Sequence, residues 1–252
     1  MSRLFRGLVV FAGLLLLWQA LVGVAELPHY ILPGPAAVLG ALAARPGLIA
    51  GHALHTLAEI LLGLAIGAAL GCATALIMSF FRPARRWLLP VVVVSQAIPV
   101  FALAPLLVLW LGYGMASKAA MAVLIIYFPV TAAFFDGLRR TEPGWLDLAR
   151  TMGASRWAIL RRIRLPAALP ALASGLRVAT AVAPIGAVIG EWVGSSAGLG
   201  YLMLHANARV QIDVMFAALV TLAAIGVALY FTVDAGLRRL LPWQPETLFM
   251  ED

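Results

Sequence analysis

Six apolar runs constrain this chain more than anything else in it: Leu8–Ala25, Thr56–Phe81, Leu88–Leu111, Ala119–Phe135, Ala171–Val193 and Val214–Val233. A helix that crosses the hydrocarbon core of a bilayer needs about 20 apolar residues. Inside lipid every backbone N–H and C=O must be satisfied within the protein, which leaves helices or closed barrels as spanning structures. Runs of this length predict an all-α polytopic membrane protein with about six transmembrane helices. Composition agrees, with 63% hydrophobic residues, 12% charged residues and a mean hydropathy of +0.99. A soluble domain carries about 25% charged residues. The net charge of +7 would suggest nucleic acid in a soluble protein. Here the arginines cluster at the ends of apolar runs, so the lipid bilayer is the partner they imply, and no nucleic-acid partner is expected.

The distribution of those charges predicts an orientation. With the N-terminus inside, the inside segments hold Arg3, Arg6, Arg82, Arg85, Arg86, Arg139, Arg140, Arg150, Arg156, Arg161, Arg162, Arg164, Arg238 and Arg239, which is 14 of the 18 basic residues. The outside loops hold Arg45, Lys118 and Arg209, and Arg177 lies near the inner end of span five. Positive charge stays on the cytoplasmic side, so both termini are expected there. The run at 8–25 follows Arg3 and Arg6 and has no A-x-A-like site after it, so it reads as an uncleaved first span rather than a signal peptide. One transmembrane domain over 1–252 is expected, with its core at 50–240 and an inside loop at 138–170. The single cysteine, Cys72, excludes an intrachain disulfide, and no Cys/His spacing suggests a metal.

Finer features sit on this frame. Span three contains Pro90, Pro99 and Pro105 and is expected to be kinked or broken. Pro33-Gly34-Pro35 opens a short helix over 36–44, and the outside stretch Gly194 to Asp213 is longer than a tight connection. Gly63, Gly67 and Gly71 line one face of span two, for close packing within the chain or against a second copy. Met115, Met121 and the tryptophans read as bilayer-facing or core filler.

The longest inside loop, Leu138 to Pro170, carries pattern. Leu146, Ala149, Met152 and Gly153 mark an apolar face at helical spacing, ended at Gly153. Trp157, Leu160 and Ile163 begin a second amphipathic stretch, which Pro166 is expected to stop. Two short helices joined at glycine could fill a groove on a partner or rest on anionic headgroups. Periodicity leaves both open. Polar residues within spans are functional candidates: Gln96 on span three, and Glu191 with Trp192 at the end of span five, are possible pathway residues. Glu191 could instead tether the loop that follows it. Arg177 is expected to snorkel to the inner interface, with pairing to an acid on a neighbouring helix as the alternative. His205 and Asn207 fall in the outside loop.

The inside loop resembles the coupling signature of ATP-binding-cassette importer permeases, E-A-A-x3-G-x9-I-x-L-P. Asp147 takes the acidic place, Leu148 and Ala149 the two alanines, and Gly153, followed by Ala154, the glycine; Ile163, Leu165 and Pro166 fall in register. Asp for Glu and Leu for the first Ala are the departures. Leu32-Pro33-Gly34-Pro35, the run from Ala97 to Gly114 and the run from Gly190 to Tyr201 are similar to the subfamily importing nitrate, sulfonates and taurine. The stretch from Leu204 to Gln211 resembles permeases for pyrimidine precursors of thiamine. The resemblance implies a type I importer permease fold in a bacterial inner membrane. It also implies two ATPase subunits that carry the ATP and Mg, a second permease copy making a homodimer, and a periplasmic substrate-binding protein.

The sequence supports that division of labour. A phosphate-binding loop needs G-x-x-x-x-G-K-[ST], and the only lysine, Lys118, lacks that framework. No catalytic, cofactor or metal site is expected in this chain. A secondary transporter or channel is the alternative, but the ionisable candidates near the midplane, Glu59, Arg177 and Glu191, are few for a proton relay. A six-span structural or assembly protein leaves the patterned loop unexplained.

Overall fold

A computed structural model describes residues 3–26 and 28–244. The chain ends included in the 1–252 expectation, and the side chains of Arg3 and Arg6, lie outside the described residues.

Among those residues, four helices are long and apolar enough to cross a membrane. They are α3 (Pro46–Phe80), α6 (Met115–Arg139), a continuous helix over Arg156–Gly194, and α11 (Ile212–Leu240). The expected third span is a broken pair, α4 (Arg82–Ala97) and α5 (Val100–Leu111), bent by 102°. Pro90 and Pro105 ride inside these helices, whereas Pro99 marks the break. A proline disfavours helical backbone in the residue before it, and Ile98 is accordingly extended, at φ −89° and ψ 117°. The N-terminal run forms α1 (Arg3–Val24), and the Pro-Gly-Pro segment opens α2 (Pro35–Ala44). Trp18 on α1 donates its indole N–H to the Pro33 carbonyl at 3.1 Å, which ties α1 to the start of α2.

The centre of the bundle is α6, held between α3 and α9 (Leu165–Gly194) around Ile60, Ala122, Ile126, Val130, Ala179 and Ala183. Small residues set this spacing. A Cβ on Gly67 would stand 2.8 Å from Ile126 Cγ2, and one on Gly186 would stand 2.7 Å from the Ala122 Cα. The glycine face of span two therefore serves packing within the chain, against α6.

Two sequence expectations are corrected here. Pro166 does not stop the second amphipathic stretch. α8 (Arg156–Ile159) passes through a π-helical turn, Leu160–Arg164, directly into α9. The Leu165 N–H donates to the Leu160 carbonyl, one residue further back than in an α-helix. That wide turn precedes Pro166 immediately, so the proline occupies a first-turn position where its missing N–H matters least. Arg177, in turn, does not snorkel. Its Nε lies 2.6 Å from Asp234 Oδ1 on α11, and Arg238 holds the other oxygen of Asp234 at 2.8 Å. An ion pair beside a spanning segment spares both charges a longer excursion to water.

Candidate functional sites: an exposed coupling unit and a buried charge cluster

The patterned loop folds as two helices meeting at a glycine. α7 (Pro143–Thr151) starts with proline in its first turn, which suits the fixed φ of that residue. It ends in a Schellman motif: the Ala154 N–H donates to the Ala149 carbonyl and the Gly153 N–H to the Arg150 carbonyl, both at 2.9 Å. This closure needs left-handed backbone at Gly153, which has φ +77°. No atom stands within 4 Å of a Cβ built there, so the requirement is conformational and not one of close approach. Ser155 then caps α8 by accepting the Ala158 N–H at 3.2 Å.

The unit has its own small core of Leu146, Ala149 and Ile159, with Ala154 and Ile163 packed against it. Its other side is bare. Leu148 is 61% exposed and Met152 78%. With Trp145, Ile163, Pro166 and Trp243 they border an open apolar groove of about 470 Å³. Asp147 is exposed and paired with Arg150 at 2.6 Å on its own helix. Leu165 is half-buried at the foot of α9. The eight residues of the signature thus lie on one continuous segment, in which Ala149 builds the small core and Leu148 faces outward.

At the opposite end of α9 lies a cluster that sequence reasoning did not assemble. Glu59 on α3, Lys118 on α6 and Glu191 on α9 are 0%, 8% and 1% exposed. Lys118 Nζ stands 3.3 Å from Glu59 Oε1. Thr56 donates its hydroxyl proton to Glu191 Oε1 at 2.6 Å and accepts the Leu199 N–H at 2.8 Å. The other Glu191 oxygen accepts the N–H groups of Gly200 and Tyr201. Those donors open α10 (Leu199–Ala208), whose N-cap residue, Gly198, has no side chain to satisfy them. A buried carboxylate from another helix supplies the cap and complements the positive end of the helix. His52 Nδ1 accepts the Gly198 N–H at 3.0 Å and completes the clamp.

The geometry therefore gives Glu191 the tethering role. Trp192 beside it is exposed, as is Gln96, one residue before the end of α4 at the 102° bend. His205 and Asn207 lie on α10 rather than in a loop, and the His205 ring packs on Tyr201 at 4.1 Å. Lys118, expected outside in a loop, is buried in the first turns of α6. The available signal was that the chain's only lysine falls at the head of a long apolar run, where an unpaired ammonium would be costly.

A family model described as "binding-protein-dependent transport system inner membrane component" matches residues 63–243, a stretch that includes the coupling unit and most of the buried cluster. The chain belongs to this family. A probable ABC transporter permease of Haemophilus influenzae is 57% identical over 239 residues, covering 95% of this chain and 98% of the other. The formylaminopyrimidine transport permease ThiX of Halalkalibacterium halodurans is 35% identical, covering 97% and 99%. The riboflavin transport permease RibX of Chloroflexus aurantiacus is 37% identical, covering 92% and 87%. In fold, the chain matches a chain of the inward-facing methionine ABC transporter MetNI with a TM-score of 0.66 at 20% identity, over 77% of this chain and 95% of that one. This protein is thus a multi-pass inner-membrane permease subunit of an ABC importer and has no catalytic role of its own. An ATPase subunit and a binding protein are its partners in general.

Proposed function

We propose that the α7–Gly153–α8 unit is where a separate ATPase subunit grips this permease and drives it. The observation that carries this is the exposed apolar face of Trp145, Leu148 and Met152 on α7, joined at the Gly153 cap to α8, which is one helix with α9. The helix runs from Arg156 to Gly194 without interruption, roughly 58 Å at the α-helical rise. A push on α8 therefore moves Glu191, and through it the start of α10. Asp147, Leu148, Ala149, Gly153 and Ala154 shape the gripped surface, and Ile163, Leu165 and Pro166 fix the joint to α9. ATP and Mg sit on the ATPase subunits, two per assembly, and a second copy of this chain completes the translocation path. Gln96, at the bend between α4 and α5, and Trp192 are exposed side chains placed to line it. The chain forms one domain.

The coupling unit then faces the cytoplasm, as do both termini. In a Cys72→Ala background, cysteine introduced at Ser155 is expected to resist membrane-impermeant thiol reagents in intact cells, and cysteine at Ser196 to react. Labelling in the reverse pattern overturns this orientation.

The cargo that fits best is a small pyrimidine-type heterocycle. The relatives named for formylaminopyrimidine and riboflavin transport are 35% and 37% identical, against 29% for a taurine permease and 28% for a sulfonate permease. The cognate binding protein should gain thermal stability with aminopyrimidines and not with taurine. Stabilisation by taurine alone rejects this cargo.

A further inference from the structure

Beside the coupling unit lies a cavity of about 530 Å³ that the driving role does not use. Its walls come from the turn between α3 and α4, from α7, from α8 and from the π-helical turn. Four arginines line it: Arg82, Arg150, Arg156 and Arg164. No acidic residue does. Arg150 is engaged by Asp147, but among the described residues no carboxylate pairs with Arg82, Arg156 or Arg164. The Nε of Arg164 is buried and makes no hydrogen bond. Like charges held this close, with a buried donor unmet, define a space suited to an anion with several oxygens.

A second cavity adjoins the first. It is an apolar groove of about 470 Å³ between the last turns of α3 and the start of the long helix. Leu76, Ile77, Phe80, Phe81, Trp157 and Leu165 line it, and the only charged residue on its rim is Arg161. Phe80, Phe81 and Leu160 line both cavities, so the arginine-lined space and the apolar one are adjacent. Trp157 stands edge-on to Phe80 at 6.2 Å and is itself exposed, an arrangement suited to the headgroup level of a bilayer.

We propose that these adjacent cavities bind one anionic phospholipid, its phosphate among Arg82, Arg156 and Arg164 and its acyl chains in the Phe80–Phe81–Trp157 groove. An acidic side chain of a protein partner would satisfy the arginines and leave the groove empty, whereas a phospholipid fills both. Basic pockets at the ends of spanning helices select anionic headgroups in this way. The lipid would brace the α3–α4 turn against α8, and so make the stiffness of the coupling unit depend on membrane composition. That this lipid belongs to the inner leaflet rests on the orientation proposed above; the binding test does not.

The test uses the purified permease with its ATPase subunit, in nanodiscs. Trp157 is the reporter, and its emission is isolated by difference against Trp157→Phe. Brominated phosphatidylglycerol diluted into phosphatidylcholine is expected to quench that emission at a mole fraction about tenfold or more below that needed with brominated phosphatidylcholine. Combining Arg82→Gln, Arg156→Gln and Arg164→Gln should abolish the difference. Equal quenching of the wild-type protein by the two lipids overturns the site, whatever the variant does. A triple variant that keeps the phosphatidylglycerol preference but loses the ATPase subunit also overturns it, because the arginines would then serve the protein partner.

Discussion

Lys118→Met is expected to destabilise the permease by about 3–5 kcal/mol, because it leaves the Glu59 carboxylate buried with no cation to answer it. Among the described residues Lys118 is the one cation paired with Glu59, its ammonium 3.3 Å away, and the neighbouring Glu191 carboxyl adds like charge. The physics also predicts the rescue. A buried ion pair replaced as a pair by apolar groups of similar volume is often close to neutral, so Lys118→Met combined with Glu59→Met should recover most of the loss. Thermal unfolding of the purified protein in detergent measures both. A single variant as stable as wild type, or a double variant no better than the single, would show that the pair does not hold α3 to α6.

The second large effect is expected at Gly153. Left-handed backbone disfavours residues with a Cβ by about 1–2 kcal/mol, and asparagine least among them. The space around Gly153 is open, so steric contact plays no part. Gly153→Ala should therefore loosen the α7 cap and uncouple transport from ATP hydrolysis, while Gly153→Asn should retain most of the coupling. The readout is the ratio of solute taken up to ATP hydrolysed by the reconstituted transporter. Alanine and asparagine variants that behave alike would mean that the φ of +77° is not what coupling depends on.

These two sites differ in how far the sequence revealed them. Gly153 was legible because its evidence is local. A helical face stops there, a second begins, and the I-x-L-P spacing follows within the same loop. The spanning helices were legible for the same reason, since an apolar run carries its own signal. What the sequence did not disclose is which charges meet. Glu59, Lys118 and Glu191 are distant along the chain and come together only because glycines let α3 and α9 close on α6. Arg177 and Asp234, 57 residues apart, pair through the packing of α9 on α11. The continuity of α8 and α9 was hidden by Pro166, an apparent stop, because a π-helical turn leaves no periodic trace over five residues. α10 was hidden because its N-terminal cap is a glutamate from another helix.

The placement of the buried cluster gives the permease a mechanical axis. One end of the Arg156–Gly194 helix carries the exposed coupling unit, and the other carries Glu191, which holds α10 by its first N–H groups. A gate made this way has no energy source of its own. A partner must bind its conformations differently to move it, and ATP binding on the ATPase subunit is the proposed bias.

Uptake by proteoliposomes tests that claim most directly. The permease reconstituted alone should hydrolyse no ATP and accumulate no solute under an imposed proton or sodium gradient. Addition of the ATPase subunit and the loaded binding protein should give uptake that requires ATP and is lost with Gly153→Ala. Gradient-driven accumulation by the permease alone would contradict the account and identify the protein as a secondary transporter.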